Sequence, residues 1–127
     1  MIFDASSIYK AIEIDAIEKL ANEKTLDLSP YELGNVVWKN ISRKKISLDE
    51  GINLMNFISK IISLMDIIHV GIKVDVLKIA VKNNLSYYDS SYLYASISFN
   101  DILISEDKKL LEVANKHGIK SHTIEEF

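Results

Sequence analysis

The sequence predicts an α/β fold, with three layers (α/β/α) around a short-stranded, mostly parallel central sheet. Two observations carry that prediction. Short apolar runs (Met1-Ile2-Phe3, Thr25 to Leu28, Asp66 to Val70, Asp101 to Ser105) alternate with longer segments of helical periodicity. Helix-start signals recur soon after those runs, and right-handed crossovers then place helices on both faces of the sheet. With 127 residues, 48% of them hydrophobic, the chain suffices for a single domain over residues 1–127 with a full core.

Met1-Ile2-Phe3 reads as a strand ending at Asp4, and so short an apolar strand is expected at the centre of the sheet, covered on both faces. Residues 8 to 22 carry an imperfect helical stripe of Ile8, Ala11, Ile12, Ile17, Leu20 and Ala21, with a break expected near Asp15. Thr25 to Leu28 is the second strand. Ser29-Pro30-Tyr31-Glu32 then reads as a helix start, with Ser29 as N-cap, proline at N1 and glutamate at N3. Ser47-Leu48-Asp49-Glu50 is a capping box opening a longer helix through Ile52, Met55, Ile58, Ile61 and Ile62. Asp66 to Val70 is the third strand, ended by Gly71, and Val74, Leu77, Ala80 and Val81 mark the next helix. Ser86 followed by Asp89 predicts another capping box and a helix through Tyr92 and Ala95. The fourth strand is Asp101 to Ser105. A helix over Asp107 to Lys116 is closed by Gly118, and Ile119 to Ile124 is expected as an edge strand.

Composition narrows the function classes. The absence of cysteine excludes disulfides, thiolate metal sites and cysteine nucleophiles, and fits a reducing, cytoplasmic interior. No basic-then-apolar leader is read at the N-terminus. The most apolar stretch, Phe57 to Val70, is interrupted by Lys60, Asp66 and His69, short of the roughly 20 clean residues of a membrane span, so a soluble protein is expected. A net charge of −3 argues against a nonspecific basic coat for nucleic acid. Locally, Arg43-Lys44-Lys45 is the densest basic run, read either as a solvated helix end or as a candidate RNA contact.

In parallel α/β sheets, ligands bind at the carboxyl ends of the strands. That rule selects among the 18 acidic residues. Asp4 follows the first strand, Glu32 the second and Asp107 the fourth, while Asp89 starts a helix whose preceding loop can reach the same edge. Spacing alone leaves two readings open: a carboxylate cluster, or three separate helix caps at Glu32, Asp89 and Asp107 beside Asp4. Clustered carboxylates repel and raise one another's pKa unless cations neutralise them. Oxygen-only ligands favour Mg²⁺ or Mn²⁺ over zinc, and the chemistry that needs such a site is metal-assisted phosphodiester hydrolysis.

Asp4-Ala5-Ser6, Glu32-Leu33, Tyr88-Asp89-Ser90-Ser91-Tyr92 and Ile104-Ser105-Glu106-Asp107 stand in the order and spacing of PIN-domain proteins. The chain resembles small VapC-type toxins most, over essentially its whole length. The resemblance implies a PIN-like fold and a metal-dependent endoribonuclease, the toxin of a type II toxin–antitoxin pair. Asp4, Glu32, Asp89 and Asp107 would form its acidic quartet, with Asp4, Asp89 and Asp107 as metal ligands and Ser6 and Ser105 orienting them. It also implies Mg²⁺ or Mn²⁺, an RNA substrate, a cognate antitoxin and a homodimer. Ser105 stands where the family more often has threonine. Glu106 and Asp101 lie close enough in sequence to compete with Asp107 as fourth acid, although strand alternation turns Glu106 away from the face of Ser105.

Other residues carry weaker signals. His69, His117 and His122 lack the spacing of a metal or catalytic set. Tyr88 and Tyr92 share a helical stripe with Ala95 and read as packing before they read as a platform for bases. A dehalogenase-type phosphatase needs a second aspartate two residues after the first, where this chain has Ser6, and a receiver domain needs a lysine after a later strand that is not evident. The remaining rival is a catalytically silent PIN-like binding or scaffold module.

Overall fold

The computed structural model describes residues 1–127. Five strands form one sheet in the order β3-β2-β1-β4-β5: β1 (Ile2–Phe3), β2 (Lys24–Leu26), β3 (Asp66–Ile68), β4 (Leu103–Ile104) and β5 (Ser121–His122). Every pairing is parallel, so the sheet is wholly rather than mostly parallel, and β1 lies at its centre. The strands are two or three residues long. Their side chains alternate between faces even at this length: Ile2 and Leu103 enter one core, Phe3 and Ile104 the other.

The helices are α1 (Ala5–Glu13), α2 (Ser29–Ser42), α3 (Leu48–Ser63), α4 (Val74–Asn83), α5 (Tyr87–Phe99) and α6 (Lys108–Lys116). On the Phe3 face, α1, α2 and α3 pack through Ile8, Ala11, Leu33, Val37, Ile58 and Ile61. On the Ile2 face, α4, α5 and α6 pack through Val76, Tyr92, Leu93, Leu110 and Val113. The break expected near Asp15 is present. Asp15 adopts φ 56° and a 3₁₀ turn at Ile17–Lys19 follows.

One helix start differs from its sequence reading. Helix α2 begins at Ser29 itself, with Leu28 as the N-cap residue and no side-chain cap. The Ser29 hydroxyl is buried without a hydrogen-bond partner. Proline in the first turn removes an amide that needs no partner there, so the helix starts without a cap. The box at Ser47 and Glu50 is complete, with both reciprocal bonds formed.

Helix α5 has no amphipathic stripe, because Ser90, Ser91, Tyr92, Leu93, Ala95 and Ser96 bury it on several sides. Ser91 and Ser96 donate to the carbonyls of Tyr87 and Tyr92 within the helix, which satisfies their hydroxyls inside the core.

Because all strands run the same way, their carboxyl ends share one edge. The opposite edge is closed by ions: the Met1 amine pairs with Glu23 and Asp101, and Lys24 Nζ donates to Asp101 at 2.9 Å. No helix is long and apolar enough to cross a membrane.

Helices α2 and α3 cross at Gly51, where an added Cβ would lie 2.5 Å from Ile41 Cδ1 and 3.4 Å from Val37 Cγ1. Gly51→Leu is expected to destabilise the fold by about 1–3 kcal/mol through overpacking. Urea unfolding monitored by circular dichroism measures this, and an unchanged midpoint would show that the crossing is looser than described.

Candidate active site

Asp4 leaves the central strand at its carboxyl end and is buried, 4% exposed. Its Oδ1 accepts from the Ser6 hydroxyl at 2.7 Å and from the Ser7 amide at 2.9 Å, which makes Asp4 the N-cap of α1. Its Oδ2 accepts from the Ser105 hydroxyl at 2.5 Å. Both serines also accept from the loop after β4: Ser6 Oγ takes the Glu106 amide at 2.9 Å, and Ser105 Oγ the Asp107 amide at 3.0 Å. A relay of amide, hydroxyl and carboxylate therefore hangs the β4–α6 loop on Asp4. Burial pushes the Asp4 carboxyl above its usual range, and the three donors pull the other way.

Glu32, in the first turn of α2, does not serve its own helix end. Its Oε1 accepts from the Tyr92 hydroxyl at 2.8 Å, and Tyr92 is fully buried on α5 in the opposite helical layer. Burial first, then the charges of Asp4 and Asp89, raise the Glu32 pKa to about 7 against the opposing effect of the Tyr92 bond.

Asp89 departs from the expected reciprocal box. Ser86 Oγ accepts from the Asp89 amide at 3.0 Å, but the return bond present at Ser47 and Glu50 is missing. The Asp89 carboxylate is raised to about 6 by burial, then by the charges of Asp107 and Asp4. Asp107 does cap its helix, with Oδ1 accepting from the Leu110 amide at 3.1 Å.

Three separate caps is thus the wrong description for two of the three acids. Neither Glu32 nor Asp89 accepts from a backbone amide of its own helix end, although the Ser86 hydroxyl beside Asp89 pulls its pKa down, and each feels the charge of Asp4. The four acids follow one another along the carboxyl edge of the sheet, linked pairwise by charge: Glu32 with Asp4 and Asp89, and Asp89 with Asp4 and Asp107.

The other fourth-acid candidates lie elsewhere. Asp101 belongs to the ionic network at the opposite edge. Glu106 Oε2 accepts from the Ile124 amide at 3.3 Å, so its side chain turns toward the C-terminal segment. Arg43, Lys44 and Lys45 follow the far end of α2, about 16 Å from Glu32 along the helix axis, and do not join the rim. His69 pairs with Asp27 just past the carboxyl ends of β3 and β2, and His117 contacts Asn83; neither histidine bonds any of the four acids.

The residue that sequence reasoning missed is Tyr92. Its position on the Asp89 helix, three residues on and facing the core, was the available signal, but its partner lies 60 residues away.

No three histidine, cysteine, aspartate or glutamate side chains stand close enough to form a ready-made metal group. Protein donors hold Asp4, Glu32 and Asp107 in place, and like charge spreads the set. The chemistry of the donors nevertheless fits a hard divalent cation: four carboxylates with no sulfur or imidazole among them, two of them raised in pKa by burial and by one another's charge. Such cations retain water in their shells, so direct contact with every carboxylate is not required.

The chain is 30% identical over 115 residues to Exonuclease VapC9 of Pyrobaculum aerophilum, covering 87% of this chain and 82% of that protein. It is 24% identical over 98 residues to Ribonuclease VapC3 of the same organism, covering 76% and 75%. The crystal structure of PAE2754 from Pyrobaculum aerophilum superimposes with a TM-score of 0.81 at 25% identity, covering 98% of this chain and 89% of that one. A PilT N-terminus domain protein, SSO1118 from Sulfolobus solfataricus P2, shares the fold with a TM-score of 0.55 at 20% identity, covering 98% and 87%. No family model matches the sequence. The relatives and the shared fold agree on the family, and the chain belongs to the PIN-domain family of VapC-type nucleases.

Proposed function

We propose that this protein is a metal-dependent endoribonuclease and the toxin of a type II toxin–antitoxin pair. The observation that carries the proposal is the gathering of Asp4, Glu32, Asp89 and Asp107 on one edge, with Glu32 and Asp89 unused as caps and raised to about 7 and about 6. Like charges brought together at a cost to the fold are expected where function needs them.

In this reading Asp4, Asp89 and Asp107 hold Mg²⁺ or Mn²⁺. When bound, the ion neutralises charge on the phosphodiester and acidifies the attacking water. Ser6 and Ser105 fix the Asp4 carboxylate through both oxygens. Glu32 Oε1 is anchored by Tyr92, which leaves Oε2 to take the proton of the attacking water, and a base near neutrality suits that task. Water as nucleophile leaves the ribose 2′-hydroxyl out of the reaction. A single-stranded or looped RNA, with its backbone splayed, fits an open rim.

The name of one relative specifies an exonuclease and that of another a ribonuclease. Cleavage of a circular RNA decides for internal cutting here, and its survival beside degraded linear RNA decides against it.

Partners fit the surface. Trp38, Ile52 and Met55 on α2 and α3, and Ile72, Val74, Leu77 and Val81 at and before α4, remain exposed. A homodimer contact and an antitoxin would cover such faces.

A catalytically silent binding module is the second reading, favoured by the lack of a ready-made group of three ligands. The same assays separate the two. Mn²⁺-dependent cleavage of single-stranded RNA is expected, abolished by EDTA and reduced at least about 100-fold in Asp89→Asn. Metal-independent or unaltered cleavage would remove Asp89 from the site.

Because the folded pKa values of Asp89 and Glu32 lie above their unfolded ones, their ionisation opposes folding. That penalty is absent below about pH 4, grows through about 6 and about 7, and is complete above. Metal-free wild type is therefore expected to gain stability on acidification from pH 8 to 5 relative to Asp89→Asn, measured by thermal melting. A variant with the wild-type pH dependence would contradict the cluster.

Tyr92→Phe removes the bond that lowers the Glu32 pKa. The acid limb of its pH–rate profile should move to higher pH, with about 1 kcal/mol lost in stability. An unmoved limb would exclude Glu32 as the base.

A further inference from the structure

A groove of about 710 Å³ opens beside the acidic edge. One wall is a single face of α2, contributing Tyr31, Glu32, Asn35, Val36 and Lys39 at helical spacing; Ala5 and Ser6 close one end, and Tyr88 comes from α5. Its size lies within the roughly 300–1,000 Å³ of sites that enclose small organic groups.

Two of its tyrosines are unusual in their exposure. Tyr31 is 83% and Tyr88 61% exposed, and the one aromatic pair within the chain, Phe3 with Phe127, involves neither. Each directly precedes a rim acid, Tyr31 before Glu32 and Tyr88 before Asp89. Lys39 supplies the groove's cation, about 10 Å beyond Glu32 along the α2 axis.

We propose that this groove receives the nucleotide beside the scissile phosphate of a single-stranded RNA. Its base stacks on Tyr31 or Tyr88, Asn35 hydrogen-bonds the base edge, and Lys39 meets the adjoining phosphate. Base preference on that side of the cut is then set by these side chains. The inference rests on the ribonuclease reading and adds a substrate subsite to it. The chemistry of the lining supports a nucleic-acid strand as occupant: beside the rim acid Glu32 the groove presents a lysine, an amide and two bare aromatic rings, the combination that holds unstacked bases and their backbone. A polyanion whose cleaved phosphate lies at Glu32 has this groove as its adjoining channel.

The test uses short single-stranded RNAs carrying 5-iodouridine, irradiated with the wild-type protein in Ca²⁺ and in EDTA and mapped by mass spectrometry. Fluorescence anisotropy of the same RNAs and Mn²⁺-dependent cleavage of a randomised pool accompany it. Crosslinks are expected at Tyr31 or Tyr88. Tyr31→Ala and Tyr88→Ala should weaken binding about tenfold each and flatten the base preference in the pool, while Tyr31→Phe and Tyr88→Phe keep both. Both rings are exposed, so truncation should leave the melting temperature unchanged, and melting of each variant checks this. Wild-type cleavage with crosslinks elsewhere, or with preference and affinity unaltered in both alanine variants, overturns the subsite alone and leaves the groove to another occupant, such as a protein segment. A wild-type protein that neither binds nor cleaves RNA overturns the subsite and the ribonuclease reading together.

Discussion

The Asp4 carboxylate and its two serine hydroxyls are the constraint on which the arrangement of the site depends. Asp4 sits at the end of the central strand, caps α1, and accepts Ser6 and Ser105 while those serines accept the amides of Glu106 and Asp107. One buried group thereby fixes three backbone segments: the end of β1, the start of α1 and the loop that carries Asp107. A buried carboxylate is tolerable only when hydrogen-bonded, and Ser6, Ser7 and Ser105 donate to both oxygens here without a cationic partner. The second tie is Tyr92 to Glu32, which joins the two helical layers above the sheet edge. Between them these contacts set where charge accumulates.

Much of the fold was legible because its signals are local. Apolar runs bounded by Ser, Asn and Gly placed all five strands, and the full box at Ser47 and Glu50 placed the start of α3. The acids were legible through topology: once the sheet is parallel, residues just past strand ends must share an edge. What was not legible depends on contacts distant in sequence. Ser29-Pro30-Tyr31-Glu32 has the form of a capped helix start, yet Ser29 is buried and Glu32 is claimed by Tyr92, 60 residues on. Asp101 competed with Asp107 by nearness in sequence, and its place at the start of the fourth strand puts it at the other edge, where the fold pairs it with the Met1 amine and Lys24. The Arg43-Lys44-Lys45 run drew attention by density, whereas the groove takes Lys39, one helical turn before it.

The local roles of the acids separate structural from functional use. Asp107 and Asp4 do both, since each caps a helix while lying on the edge. Glu32 and Asp89 satisfy no amide at a helix end, and their raised pKa values record first the cost of burying them and then the charge of their neighbours. A fold under selection for stability alone would neutralise that cost with an amide or a basic residue. Family and topology are shared with the VapC-type nucleases, whose chemistry such an arrangement would serve.

The measurement that bears most directly on the site is paramagnetic broadening by Mn²⁺ in amide-resolved NMR of the metal-free protein. Substoichiometric Mn²⁺ should first broaden the amides of Ser6, Ser7, Asp89, Glu106 and Asp107, and the effect should disappear on adding excess EDTA. Broadening centred instead on Glu23, Asp66 and Asp101, or spread evenly over the acidic surface, would contradict a divalent-cation site on the carboxyl edge of the sheet.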